Sequence, residues 1–151
     1  MVSRKGAKAQ RKCNFSDGMW KIPLRLLGWV WASPWTAAGL AAGAIGLASG
    51  GRVQRRGAAI EFYGGAVPWL ISHWPGGPMT IAMTLGHVVL GRDAACLDVT
   101  RAHELVHIRQ YERWGPLFIP AYLLCSALIW LRGGDAYRDN PFEREAYGIA
   151  P

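Results

Sequence analysis

The stretch Val99-Thr-Arg-Ala-His-Glu-Leu-Val-His-Ile-Arg-Gln-Tyr-Glu-Arg-Trp114 decides how the rest of the chain is read. It predicts a helix of about four turns, with Asp98 or Thr100 placed to cap its start and Gly115-Pro116 to stop it. On that helix His103 and His107 stand four residues apart on one face, so both imidazoles can reach one tetrahedral cation at roughly 2.0 to 2.1 Å. A spacing of three or five would turn one ring away. Glu104 flanks the same site and can accept a proton from water there.

A zinc ion (Zn2+) held in this way needs a third protein ligand and leaves a fourth position for water. The candidates lie downstream in Pro141-Phe-Glu-Arg-Glu-Ala-Tyr147. Asn140 and Pro141 there predict the cap and first turn of a last helix. Glu143 and Glu145 are two residues apart, so if one faces the metal the other faces elsewhere.

With these residues the chain resembles the gluzincin metallopeptidases, some of them membrane-bound. In that family the H-E-x-x-H helix is followed by a second helix bearing E-x-x-A-D, whose glutamate is the third zinc ligand. Glu143-Arg-Glu-Ala146 fits the first four positions, which selects Glu143 over Glu145. Tyr147 stands where the family's aspartate usually lies, so the resemblance supplies no carboxylate to support a zinc-bound histidine. It extends over residues 79 to 147 and implies an α+β, zincin-like fold with short edge strands ahead of the active helix. His103, His107 and Glu143 would be the metal ligands and Glu104 the catalytic base of a zinc-dependent peptidase acting on polypeptide.

The strand that the resemblance needs has its own signal. In Met79-Thr-Ile-Ala-Met-Thr-Leu85 the apolar side chains alternate with Thr and Ala, the period of a half-buried strand. Gly86 then suggests a bulge or a close approach before His87-Val-Val-Leu90 continues. Between Ala58 and Gly91 the punctuation by Gly64-Gly65, Pro68 and Pro75-Gly-Gly-Pro78 favours short strands and turns over long helices.

Upstream, no charged residue occurs between Arg25 and Arg52. That run of about 26 residues exceeds the roughly 20 needed to span a bilayer. Its Ala38, Ala42, Gly46, Gly50 series and the adjoining Gly39-x-x-x-Gly43 present small residues that let helices approach closely in lipid. Residues 24–51 are therefore expected to form an apolar membrane anchor or a hairpin, with 52–151 as the zincin-like domain. A second apolar segment, Trp114 to Leu131, cannot cross a bilayer once. That would leave the histidines and Glu143 some ~30 Å apart on opposite sides. It is expected to be either a buried core helix or a shallow re-entrant hairpin.

The chain of 151 residues supports one modest core, and its formal charge of +7 is local. Arg4, Lys5, Lys8, Arg11 and Lys12 crowd the first dozen residues without an acid, so residues 1–23 read as a basic tail. Such a tail suits solvent or an anionic membrane surface. Nucleic acid is not an expected partner, since no basic stripe interleaved with aromatics and no recognition helix follows. Cys13, Cys96 and Cys125 are too few and too scattered for a disulfide framework or a cysteine zinc knuckle. Eight tryptophans and 51% hydrophobic residues add to the expectation of membrane association, with the cytoplasm as the other location. His87, Tyr137, Arg138 and Tyr147 are the chemically suitable groups for stabilising an oxyanion. Two other functions compete with the peptidase: a non-catalytic zincin-like protein using metal for structure or regulation, and a membrane-associated adaptor.

Overall fold

The computed structural model describes residues 27–74 and 77–149 and shows a mixed α+β domain. The basic tail, residues 1–23, and Cys13 within it lie outside the described residues. A helical stretch at 27–31 leads into α1 (Ser33–Ala48), where Pro34 sits in the first turn and starts the helix instead of breaking it. There follow β1 (Arg52–Arg56), β2 (Ala59–Tyr63), α2 (Val67–Ser72), β3 (Ala82–Leu85) and β4 (Val88–Gly91). The chain ends in α3 (Ala94–Trp114), a 3-10 turn (Gly115–Leu117), α4 (Phe118–Leu131) and α5 (Pro141–Ile149).

The four strands form one sheet in the order β1-β2-β4-β3. β1 and β2 are an antiparallel hairpin, β2 and β4 run parallel, and β3 pairs antiparallel with β4 as an edge strand. Met79 to Leu90 is thus a hairpin and not the single strand that its alternation suggested. Leu85 pairs with Val88 across Gly86-His87, and Gly86 has φ +63°. A positive φ at the first of two loop residues marks a II′-type turn, whose twist matches the flanking strands. Only Ala82–Leu85 lies at the edge, and β4 is interior.

Side-chain alternation divides the sheet between two helical layers. Val88, Leu90 and Phe62 pack with Val67, Ile71 and Leu85 on the face covered by α1 and α2. Val89 and Ala59 face α3 through Leu97 and Ile108. The small residues of α1 serve the first of these layers. A Cβ added at Gly39, Gly43 or Gly46 would come closer than 3.0 Å to Val88, Phe62 or Val67 respectively. The G-x-x-x-G groove read as a helix–helix surface is filled by the protein's own sheet.

α3 starts more than a turn earlier than either predicted cap. Asp93 is the N-cap, accepting a hydrogen bond from Cys96 N at 2.8 Å, while Asp98 bonds Arg101 instead. Gly115 ends the helix with φ +55°. A third apolar cluster of Ala32, Tyr111, Phe118 and Phe142 ties the end of α3 to α4 and α5. α4 is not a buried core helix, because Phe118 is its only buried residue. The helical run Ala94–Leu131 is long and apolar enough, by length and composition, to cross a membrane, and 11% of its most apolar window is buried. The chain then turns back through residues 132–140, and Asn140 caps α5 by accepting from Phe142 N at 3.0 Å.

Candidate metal centre

α3 brings its two histidines to one point. The Nε2 atoms of His103 and His107 are 3.1 Å apart. The return of the chain through 132–140 sets α5 beside them, with Glu143 Oε2 at 3.3 Å from His103 Nε2 and Oε1 at 3.5 Å from His107 Nε2. Four ligands on a tetrahedral ion at 2.0–2.1 Å are separated by about 3.3 to 3.4 Å, the spacing these three groups already have. They form a group that could hold a metal ion, with ligand atoms all within 4.8 Å of one another.

One atom carries this fit further. Glu143 Oε2 is the only buried side-chain polar atom among the described residues that lacks a hydrogen-bond partner. His103 Nε2 is near it but not aligned to donate. A buried carboxylate oxygen left unpaired is costly, and a cation between the three groups is the partner that removes the cost. Glu145 is excluded as the third ligand because its oxygens accept from Gln110 and Arg113.

The lone pair needed on His107 is set by Gln110. Gln110 Nε2 donates to the carbonyl of Phe142 and to Glu145, both at 2.9 Å, and both can only accept. The amide oxygen therefore faces His107 Nδ1 at 2.8 Å, so Nδ1 carries the proton and Nε2 is free for a metal. On the other side Tyr122, from α4, donates to Glu143 Oε1 at 2.8 Å. That leaves Oε2 as the oxygen without a partner. Tyr147 packs its ring against His103, with centroids 4.6 Å apart.

The charges of the three groups act on one another. Burial alone would lower the His103 imidazole, but the adjacent carboxylate of Glu143 and the charge of Glu104 reverse this and raise it above 6.5. Burial would raise Glu143, yet His103, His107 and Tyr122 together hold it below the ordinary carboxylate value.

Glu104 is buried behind the histidines, and its Oε2 accepts from Thr84 Oγ1 at 2.6 Å. Thr84 lies on β3, and its carbonyl accepts from Tyr111 at 3.1 Å, so the edge strand and α3 are pinned together next to the site. Tyr137 and Tyr147 hydroxyls are 3.3 Å apart near Glu143. Burial, the bond to Tyr147 and the charge of Glu143 push the Tyr137 hydroxyl well up, so it stays a donor. His87 is elsewhere, against Trp29, Thr36 and Glu112.

Thr84, Gln110 and Tyr122 are the functional positions that sequence reasoning did not assign. Only Gln110 left a signal, standing three residues after His107 and so on the same helical face. The chain matches no protein-family model, no curated protein and no solved structure.

Proposed function

We propose that the chain is a zincin-like, gluzincin-type metallopeptidase that holds one zinc ion through His103, His107 and Glu143. The observation that carries this reading is the convergence of the His103 and His107 imidazoles and the Glu143 carboxylate, with ligand atoms within 4.8 Å of one another and Oε2 buried without a partner. When bound, zinc supplies Lewis acidity toward water and a scissile carbonyl. Zinc is favoured over magnesium or calcium because two imidazoles and one carboxylate are a borderline donor set, not an all-oxygen one.

The chain's own groups do the rest. Thr84 fixes Glu104 through Oε2 and leaves Oε1 to take up the proton of the attacking water and return it to the leaving amine. Gln110 and Tyr122 keep His107 and Glu143 pointed inward. The hydroxyls of Tyr137 and Tyr147 are the best placed donors for a developing oxyanion. β3, at the sheet edge, is where an extended polypeptide can pair.

The test is stoichiometric zinc in the wild type, with hydrolysis of unstructured casein by wild type and not by Glu104→Gln. The variant is expected to keep its zinc and lose about 10²- to 10⁴-fold in rate. Bound zinc with no turnover in either protein would overturn the peptidase reading in favour of a non-catalytic zincin-like protein. The aromatic lid of Tyr147 over His103 is the observation on that side. No bound metal at all would leave an adaptor.

A further inference from the structure

We infer that α4 and the preceding 27–31 stretch form a membrane-docking face that lies in the headgroup boundary of an anionic bilayer without crossing it. The inference stands on the exposed surface and does not require the metal site to be catalytic.

α4 has two faces of different use. Phe118, Tyr122 and Cys125, spaced by four and three, point into the domain, where Tyr122 reaches Glu143. Leu117, Leu124, Leu128 and Leu131 are spaced by seven, four and three, which lines them up on a second face about a third of a turn round from the first. All four are exposed, Leu131 to 71%. Water gains nothing from such a stripe, and a folded chain rarely leaves one open unless something apolar covers it.

The stripe continues beyond the helix. The Trp31 indole lies directly against Gly115, where any Cβ would collide with it, so the 27–31 stretch adjoins the start of α4. Leu27, Val30 and Trp31 are exposed there, at 63%, 71% and 49%. Immediately upstream of this patch the sequence carries Lys21 and Arg25 and the run Arg4 to Lys12, against the single acid Asp17. Basic residues that end on an apolar patch suit an anionic lipid surface, at about 1 kcal/mol per residue held near it. Neither another copy of this nearly balanced domain nor a neutral apolar partner would use that charge.

Geometry decides against a span. The 14 residues of α4 measure about 21 Å, short of the ~30 Å of a hydrocarbon core. Its inner face is also tied down, with Asn140 Nδ2 bonded to Tyr122 O at 3.1 Å and to Ser126 Oγ at 2.8 Å. A helix with one face committed to protein and the other apolar lies parallel to the membrane.

The experiment uses the full chain with phosphatidylcholine vesicles, with and without phosphatidylglycerol, read by co-sedimentation. Binding is expected to require phosphatidylglycerol, to weaken with salt, and to fall by at least about tenfold in Leu124→Glu/Leu128→Glu. That variant should keep the wild-type melting temperature and metal content, since its substitutions face away from Tyr122. Three results would overturn the inference. One is undiminished vesicle binding by the folded variant. Another is a lipid-free dimer that the same substitutions dissolve, which would make a second copy the occupant. The third is resistance of bound protein to alkaline extraction, which would mark a spanning segment.

Discussion

The domain contains two buried histidine–carboxylate constellations, and they are built to opposite specifications. At the first, His87 is fully buried, stacked on Trp29 with ring centroids 3.7 Å apart, with Nε2 against Glu112 at 3.1 Å and Nδ1 against Thr36 Oγ1 at 3.3 Å. Each ring nitrogen has a partner. At the second, two Nε2 atoms face each other and a carboxylate oxygen that has no partner. The first closes a fold, and the second leaves a buried polar atom unanswered. Residue type is the same, so the distinguishing mark is whether the polar atoms answer one another.

Substitution should separate the two constellations most widely in metal content. His103→Ala, His107→Ala and Glu143→Ala are each expected to weaken zinc binding by on the order of a thousandfold or more, as one of three protein ligands is lost. His87→Ala should leave zinc at the wild-type stoichiometry. Loss of zinc from a folded His87 variant would erase the contrast. Stability should then rank the other way. His87→Ala leaves Glu112 without its partner and opens a cavity, at a cost of about 2–4 kcal/mol in denaturant unfolding.

Smaller effects test how the metal centre is propped up. Gln110→Ala and Tyr122→Phe are expected to weaken zinc binding by about 10- to 100-fold while leaving stoichiometry at saturation unchanged. A competition titration with a chelator reads this directly. Changes no larger than those of Glu112→Ala would mean that neither group orients a ligand.

The smallest effect is in pH. In metal-free protein the His103 imidazole is raised, so its contribution to stability is full below its ordinary 6.5 and is lost as pH rises through the folded value. Glu143 is lowered, so its contribution is full above 4.5 and is lost as pH falls through its folded value. Chelator-treated protein should therefore melt at a lower temperature as pH rises past 6.5, and His103→Ala should flatten that slope. With zinc the trend should reverse, because the metal binds neutral imidazole.

The parts legible in sequence were those fixed by local spacing. Two histidines one turn apart on a helix need no tertiary information, and neither do Asn140 and Pro141 at the head of α5. The parts that were not legible depend on contacts between distant elements. Gly86 read as a bulge or a close approach, and the approach is there, with Thr36 of α1 so near that a Cβ would collide with it; the turn that splits the strand into a hairpin was not legible. Asp93 won the cap because Asp98 was drawn to Arg101, which also bonds the buried Glu61 of β2 at 2.9 Å. Tyr122 lies in an apolar run whose composition says nothing of Glu143. The small-residue face of α1 was visible, but only the folded chain shows that the sheet fills it at Gly39 and Gly43 and the short helix α2 at Gly46.

The way β3 meets α3 bears on how a polypeptide could be recognised. Ile81 O accepts from Arg92 N at 3.0 Å, so the odd-numbered residues of this strand turn their main chain toward β4 and the even-numbered ones turn outward. Of the outward ones, Thr84 is buried with its carbonyl taken by Tyr111, and the carbonyl of Thr80 is taken by Arg92 Nε. An incoming strand thus finds free backbone chiefly at Ala82 and gains little affinity from it. Under the proposed peptidase reading, so brief a foothold would make turnover depend on encounter frequency, which confinement of chain and substrate to the same two-dimensional surface would supply.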